Sequence, residues 1–434
     1  MIALAALAAV AAGVAVLRFS GARGAFAAAA GVVVGLGLSG TAWSAGLLWF
    51  GATGAGSDLA LLALAALLFW LRPTLAAEPP RQPAPAWLAA ACGLAALLVA
   101  ALFVEHSVRY PEGGWDAIAI WNLRARAIFG APDRLKQVFS PELRGVHPDY
   151  PLLLPGLVAH FWFALGTRTQ VVPIAVSFLF AAAGAATLLA AVGRRRGTAL
   201  GLAAALLLLG TPDFLTLAWN QYADLKLAML LLVAVALASE EKFAAAGLVA
   251  GLAAYTKNEG LIELSMLLLA VLLVSGRRAA LRFVVGASLP LLLLAQFKLR
   301  WAPPNDLVAQ THASGLLRRL PLRVALVVRG LAGQLIDFGH WGCALALVAL
   351  CWIAGGRRSE RTVSALFVAL MLGVVFAIYL ATPLEPVEHM RSSLDRLLFQ
   401  LWPSILYATA RLFHTSATAK TASAAQPGQS PSTW

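Results

Sequence analysis

The sequence predicts an all-α fold, a polytopic membrane helix bundle of about 12–14 transmembrane helices. Three observations support this prediction. Of the 434 residues, 60% are hydrophobic and only 12% are charged, whereas soluble domains have about 45–50% apolar and about 25% charged residues. Apolar runs, many of them long enough to cross a bilayer, recur along the chain. No long polar block separates them, so composition excludes a soluble enzyme, a disordered chain and a nucleic-acid-binding domain.

The apolar runs define the expected helices in chain order. The first run is followed by Arg18 and Arg23 rather than preceded by positive charge, which favours a membrane helix with its N-terminus outside over a cleaved signal peptide. The run 244–275 is expected to form two spans, because polar residues interrupt it at 256–260. The complete set of runs is 2–17, 25–50, 58–71, 87–104, 173–192, 199–217, 223–238, 244–275, 280–299, 324–338, 341–354, 362–381 and 397–412.

Positive charge sets the expected orientation, because cytoplasmic loops carry an excess of Lys and Arg. The formal net charge is +13, and most basic residues lie in short loops. Cytoplasmic turns are predicted at Arg18 and Arg23, Arg72 and Arg81, 194–196, Lys242, 277–282 and 357–361. The segments left on the far side are 105–172, 211–223, 300–323 and 382–396. The apolar run 152–165 then begins and ends on the far side, so either it is re-entrant or one charge assignment is wrong.

Three further features carry structural rather than functional predictions. The segment 413–434 is rich in Ser, Thr, Ala, Pro and Gln and is expected to be a disordered cytoplasmic tail. The three cysteines lie in apolar runs, which favours buried apolar residues over disulfides or a redox site. Gly247 and Gly251 are spaced so that helices can approach closely, and this spacing is interpreted as packing.

The far-side segment 105–150 is basic where positive charge should be scarce, which predicts an anionic partner such as a lipid phosphate. A helix is expected to begin at Trp115-Asp116 and to carry Arg124 and Arg126. Asp116 either caps this helix or has a chemical role, and the residue alone leaves both open. The apolar face of the helix is expected to lie on the bilayer, and it consists of Ile118, Trp121, Ala125, Ile128 and Phe129.

Other polar residues fall on the same predicted side. The first loop ends at His147, Asp149 and Tyr150, a rigid junction between prolines that could also face the pocket of Asp116. Asp224 opens a helix, where it favours the helix dipole or supplies a second carboxylate. Lys257 and Glu259 interrupt an apolar run, which favours a functional site. The last loop supplies Glu388, His389, Arg391 and Arg396, which could complete the pocket or simply be solvated. Metal is disfavoured there, because no compact ligand spacing supports it.

These motifs, in this order, resemble the GT-C superfamily of integral-membrane glycosyltransferases over about residues 87–412. The motifs are Trp115-Asp116, Arg124 and Arg126, His147-Pro148-Asp149-Tyr150, Tyr222-Ala223-Asp224, the 256–260 break and Ser393-Leu394-Asp395-Arg396. Within that superfamily the chain is most similar to the branch of protein O-mannosyltransferases, the lipid A aminoarabinose transferase and bacterial relatives that decorate lipopolysaccharide. Two departures are the extra transmembrane helices in 1–86 and the lack of a large soluble C-terminal domain.

The resemblance implies a catalytic module in 87–412, with juxtamembrane helices in a periplasmic loop 105–150. It implies that Asp116 is the catalytic base and that Arg124 and Arg126 hold the lipid phosphate. The expected activity is inverting transfer of a sugar from a polyprenyl-phosphate donor to a hydroxyl of a glycan, lipid or protein acceptor, at the periplasmic face of a bacterial inner membrane. No cofactor, metal or nucleic acid is expected, and membrane lipids are the other partners. The alternatives are a lipid or glycan transporter or flippase, and a lipid-linked glycan polymerase or ligase.

Overall fold

The computed structural model describes residues 1–51, 54–71, 83–304, 320–355 and 362–412, and within these ranges the regular structure is helical. The all-α prediction is confirmed for this part of the chain. The helices are α1 (Ile2–Phe19), α2 (Gly24–Phe50), α3 (Gly56–Trp70), α4 (Ala86–Arg109), α5 (Asn122–Gly130), α6 (Leu153–Leu165), α7 (Val171–Arg196), α8 (Thr198–Leu209), α9 (Pro212–Trp219), α10 (Ala223–Ala238), α11 (Phe243–Ala254), α12 (Glu259–Ser275), α13 (Arg277–Arg300), α14 (Leu320–Gln334), α15 (Phe338–Trp341), α16 (Ala344–Gly355), α17 (Val363–Ala381) and α18 (Pro386–Ala410).

Among the described residues, six helices are long and apolar enough to cross a membrane, namely α1, α2, α4, α7, α13 and α17. The pair α8 and α9 would make a seventh span, but it bends by 62° at its break. The count is lower than the predicted 12–14 for a physical reason. Several apolar runs form helices of only 12 to 17 residues, and about 20 residues are needed to cross the hydrocarbon core. These features are those of a helical membrane protein.

Helix α10 is the centre of the bundle, because every residue from Ala223 to Ala238 is buried. It packs against α7, α11 and α18. A helix that is apolar all round needs such complete enclosure. Its first turn carries Asp224, so the surrounding helices hold this carboxylate in a fixed position.

Helices α11 and α13 approach each other closely through small residues. A Cβ atom at Gly247 would overlap the carbonyl oxygen of Phe283, and one at Gly251 would lie 2.9 Å from Pro290 Cβ. The interpretation of this glycine pair as packing is therefore confirmed. The close packing fixes the end of α11, which leads directly into the break before α12.

The N-terminal helices are attached to the remainder of the bundle. Helix α2 packs on α6 and α7, and α1 packs on α2 and α3. A buried polar chain also links three helices, since Ser39 Oγ lies 3.1 Å from His160 Nδ1 and His160 Nε2 lies 3.1 Å from Asp58 Oδ1.

Some predictions fall outside the described residues, namely the tail 413–434 and the charges at Arg72, Arg81, Arg357, Arg358 and Arg361.

The run 152–165 forms α6, a helix of 13 residues in which Leu153–Trp162 are buried. At 1.5 Å per residue it is about 20 Å long, too short for a hydrocarbon core of about 30 Å. This length favours the re-entrant alternative for that run. Helix α6 is also covered by protein, because α2 and α5 pack on it.

The helix in the first loop differs from its prediction in one respect. A π-helical turn at Ala117–Trp121 leads into α5, and Trp121, Ala125 and Ile128 are buried in the protein core. The prediction that this face lies on the bilayer is therefore wrong for these three residues, whereas Ile118 of the same face is exposed. An amphipathic helix buries its apolar face in whichever apolar partner is present, and here α6 is that partner.

Candidate functional site

Asp224 is the centre of a buried ionic network to which three other segments contribute. Its Oδ1 accepts a hydrogen bond from Lys257 Nζ at 3.0 Å and another from Gln400 Nε2 at 2.6 Å. Its Oδ2 accepts one from Arg396 at 2.8 Å. The Asp224 side chain is fully buried. A buried carboxylate with two cations and an amide as donors stays ionised and holds those donors in place.

Arg396 joins this carboxylate to a second one, because the same guanidinium nitrogen also contacts Asp116 Oδ2. The guanidinium lies 4.9 Å from the centre of the Tyr222 ring, which it faces in a cation–π contact. Its side chain keeps 21% of its surface exposed, and that of Asp116 keeps 9%. Arg396 is thus a cation shared by two carboxylates at the accessible edge of the network.

Asp116 does not cap its helix. Its backbone is already helical, with φ −60° and ψ −36°, and its side chain makes no capping hydrogen bond. The capping interpretation of Asp116 is therefore contradicted. Without that local role, the carboxylate is free to face α18, where Arg396 meets it.

The loop before Asp116 explains how it reaches the network. Gly113 has φ +76°, a backbone conformation that suits glycine, and Gly114 N donates a hydrogen bond to the Asn220 carbonyl at 3.0 Å. A Cβ at Gly114 would lie 2.7 Å from the Tyr222 ring. Two glycines thus let the first loop lie directly on the residues that precede Asp224.

Lys257 lies in the break between α11 and α12, as the interrupted apolar run predicted. It pairs with Glu259 Oε1 at 2.8 Å as well as with Asp224, and its side chain is 5% exposed. One turn further along α12, Glu263 is buried, and neither of its carboxyl oxygens has a hydrogen-bond partner in the described ranges. The break therefore places the cation of Lys257 and the carboxylates of Glu259 and Glu263 near Asp224.

Arg124 has a different environment from the one that phosphate binding would need. Its guanidinium donates to the carbonyls of Val146 at 2.8 Å, His147 and Tyr150 at 3.3 Å. Burial lowers its pKa to about 10, which leaves it charged at neutral pH. Three main-chain acceptors around one buried guanidinium fix the fold of the loop that carries Asp149.

That loop is also bound from its other side. Asp149 Oδ2 accepts from Asn258 Nδ2 at 2.6 Å, and Lys298 Nζ donates to the Asp149 carbonyl at 2.5 Å. The His147 ring stacks on Tyr150 with centroids 4.9 Å apart, and burial lowers the pKa of His147, so that it is neutral near pH 7. Asp149 and Asn258 connect the first loop to the break that carries Lys257.

The remaining predicted residues lie farther out. Arg126 pairs with Glu112, which also accepts from Gln170 at 2.5 Å. Glu388 and Arg391 form an exposed pair at 2.6 Å, and His389 Nδ1 lies 2.8 Å from Thr382 Oγ1. The prediction that 382–396 is a loop is wrong for its larger part, because α18 already begins at Pro386 and carries all four of these residues. Of them, Arg396 is the one whose hydrogen bonds join the Asp224 network.

Sequence reasoning missed Gln400 and Lys298 as members of these networks, and it included Asn258 only as part of the 256–260 break. Gln400 lies four residues after Arg396 on α18, so both face the same side of that helix. A buried glutamine at this spacing in an apolar helix is a signal that could have been found. Lys298 carries no local signal, because a Lys at the end of α13 also suits the helix dipole.

A separate group of side chains could hold a metal ion. Among the described residues, Asp213, His340 and Asp395 place one ligand atom each within 4.8 Å of the others. Asp395 directly precedes Arg396 in the chain, so this group adjoins the ionic network along α18.

No family model, curated protein or solved structure matches this chain.

Proposed function

We propose that this protein is a GT-C-like glycosyltransferase that moves a sugar from a polyprenyl-phosphate donor to an acceptor hydroxyl, with inversion, on the extracytoplasmic side of a bacterial inner membrane. One observation carries the proposal: Arg396 is shared by Asp116 and Asp224 at the end of an apolar helix bundle. A carboxylate beside concentrated cations suits a reaction that moves a proton and releases a phosphate. The bundle supplies the apolar surroundings that an isoprenoid tail needs.

Asp116 is the base in this proposal. It accepts the proton of the acceptor hydroxyl while that oxygen forms a bond to the anomeric carbon. The bond between that carbon and the phosphate oxygen breaks, and its electron pair stays with the lipid phosphate. A positioned base contributes about 10²–10⁴ in rate. Asp116 suits this role because its side chain, although buried, keeps 9% of its surface exposed, whereas that of Asp224 is fully buried.

Arg396 and Lys257 stabilise the departing phosphate. Both are paired with carboxylates in the protein alone, so a donor phosphate must compete for them. When the guanidinium of Arg396 turns to the phosphate, it no longer covers the Asp116 carboxylate, which can then meet the acceptor hydroxyl. Donor binding therefore prepares the base. Removing one such charged donor costs about 10²–10³ in kcat.

Asp224 is a positioning residue. It receives Lys257, Arg396 and Gln400 at once and is fully enclosed by the bundle. Its charge keeps both cations at a fixed place before the donor arrives. Preorganised charges need little rearrangement during the reaction, which is why they are effective.

Arg124 acts through the loop in this proposal, in place of the phosphate contact that the family resemblance implies. Its hydrogen bonds to three carbonyls fix the segment 146–150, whose Asp149 binds Asn258 and Lys298. Trp115 and Ile118, next to Asp116, are exposed apolar side chains that suit a lipid tail. The donor then lies with its phosphate at Arg396 and its tail along these side chains.

A transporter or flippase is the second candidate, and one observation favours it. Ser39, His160 and Asp58 form a polar chain buried among three helices, and buried ionisable groups often mark transport paths. Sugar transfer by the purified protein in detergent distinguishes the two, because transport needs two compartments. A lipid-linked glycan polymerase or ligase would show the same transfer with a polymeric donor.

The proposed function is tested with purified full-length protein in detergent, given polyprenyl-phosphate sugars and envelope glycolipid extracts as acceptors, with products followed by mass spectrometry. We expect Asp116→Asn to lower transfer by about 10²–10⁴ while gel filtration and thermal stability stay close to those of the wild type. Glu105→Gln is the matched control, because that carboxylate is exposed and pairs with the exposed Arg109. Normal turnover by Asp116→Asn would refute the assignment of the base.

A further inference from the structure

Three segments far apart in the chain bring together one imidazole and two carboxylates. Asp213 lies in the first turn of α9, His340 on α15 and Asp395 on α18. His340 Nδ1 is 2.8 Å from Asp213 Oδ1 and 3.6 Å from Asp395 Oδ2. All three ligand atoms lie within 4.8 Å of one another. This combination of nitrogen and oxygen ligands is common at divalent transition-metal sites.

A second observation points to a missing ligand atom. The Asp213 side chain is only 6% exposed, and its other oxygen, Oδ2, is buried without a hydrogen-bond partner in the described parts of the chain. Buried carboxylate oxygens are normally satisfied, because leaving one unpaired costs free energy. A cation that Asp213 binds through both of its carboxyl oxygens would satisfy this oxygen.

The charge around the cluster also favours a cation. Asp337 caps α15 by accepting from Gly339 N at 3.1 Å and His340 N at 3.3 Å, which adds a third carboxylate next to the imidazole. The adjacent Arg396 is occupied by Asp116 and Asp224. Three carboxylates thus surround a single histidine, which cannot balance them alone.

The segment that carries His340 is held in place before any ion binds. Trp341 is buried against Trp402 of α18, with ring centroids 5.4 Å apart, and its Nε1 donates to Gln334 Oε1 at 2.8 Å. The His340 side chain itself is 43% exposed and can adjust. An anchored backbone with an adjustable ligand suits a site that opens slightly to receive an ion.

We propose that Asp213, His340 and Asp395 bind a divalent transition-metal ion, Zn²⁺ or Mn²⁺, as a protein-bound structural site. Ligand atoms around such an ion are about 3.3 Å apart for bonds of about 2.0 Å. The 3.6 Å distance fits this spacing, and the 2.8 Å distance needs to lengthen by a small rotation of His340. Water supplies the remaining ligands.

Sequence spacing could not reveal this site, because Asp213 and Asp395 are separated by most of the C-terminal half of the chain. The ion would join α9, α15 and α18 next to Arg396, and so would stiffen the helix that supplies this arginine. The site does not depend on the proposed sugar transfer, since metal binding is measured without substrate.

The test uses the full-length protein in detergent. Protein stripped with a chelator and exchanged into chelator-free buffer is titrated with ZnCl₂ and MnCl₂ by calorimetry, and the metal content is measured by mass spectrometry. We expect one ion per chain and a rise in the melting temperature. We expect affinity at least about tenfold weaker in His340→Gln and Asp213→Asn, but unchanged in His389→Gln, whose imidazole lies outside the cluster and contacts Thr382.

Two results would overturn the proposal. The first is that stripped wild-type protein shows no saturable binding of either ion, a result that does not depend on how the variants fold. The second is that His340→Gln and His389→Gln bind the ion equally well.

Discussion

Two buried polar clusters in this bundle have similar ingredients and different surroundings. The first, which we call the ionic network, consists of Asp116, Asp224, Lys257 and Arg396. The second, the polar chain, consists of Ser39, His160 and Asp58. Each links several helices through hydrogen bonds between side chains.

The clusters differ in access and in charge. In the ionic network Arg396 is 21% exposed, whereas the Asp58 and His160 side chains are each 3% exposed and Ser39 is fully buried. The ionic network holds two permanent cations, whereas the polar chain has only a histidine, stacked on Trp43. Burial and hydrogen bonding alone therefore do not show that a polar cluster is a catalytic site. A catalytic site also needs side chains with some exposed surface and cations that an anionic substrate can bind.

The largest expected effect comes from removing the shared cation. Arg396→Gln should lower sugar transfer by about 10²–10³, because the phosphate loses a preorganised donor. It should also lower the free energy of unfolding by about 3–5 kcal/mol, since Asp224 is left buried with one cation fewer. Turnover kinetics and chemical denaturation measure the two effects.

Arg109→Gln is the matched control for that variant, because Arg109 pairs with Glu105 on the surface. Its activity and stability should stay close to those of the wild type. If Arg396→Gln keeps the transfer rate and stability of this control, the exposure and charge of the ionic network do not mark it as a catalytic site.

A substitution in the polar chain should lower stability and leave activity unchanged. Asp58→Asn removes the carboxylate that faces His160, so we expect a loss of about 1–3 kcal/mol of stability. The specific activity of the folded fraction should be unchanged, because the hydrogen bonds among Ser39, His160 and Asp58 do not include Asp116 or Arg396. Thermal denaturation and transfer per folded molecule are the measurements. A folded Asp58→Asn protein without transfer would place the polar chain in the mechanism.

The smallest effect is expected at the surface of the first loop. Arg126 pairs with Glu112, which is about half exposed, and exposed pairs contribute about 0–1 kcal/mol. Arg126→Gln should therefore change the KM for the donor by less than about threefold. A much larger rise in KM would restore Arg126 as a phosphate ligand, as the family resemblance implies.

The sequence predicted the helical membrane architecture and the break before α12, because both depend on apolar length and on charges within apolar runs. It also singled out Asp116, Asp224, Lys257 and Arg396 as candidates, and the structure brings these four together. Ionisable residues are costly in apolar surroundings, so their positions in the sequence are informative.

Other features depend on geometry that no local pattern contains. Arg124 is enclosed by carbonyls because the segment 146–150 folds back around it, with His147 at a positive φ of 49°. The Asp213 and His340 cluster needs segments brought together by the bundle. The hydrogen bond from Gln400 to Asp224 depends on the register of α18 against α10. Tertiary contacts between distant segments decide each of these.

In the proposed mechanism a donor phosphate takes Arg396 away from Asp116, and this exchange is visible in donor binding. Binding of a polyprenyl phosphate to the purified protein is measured by calorimetry for the wild type, Asp116→Asn and Arg396→Gln. We expect Asp116→Asn to bind at least as tightly as the wild type, because its guanidinium is released from a competing carboxylate, and Arg396→Gln to bind at least about tenfold more weakly. Equal affinity of all three proteins, or weaker binding by Asp116→Asn alone, would refute this exchange of Arg396 between carboxylate and phosphate.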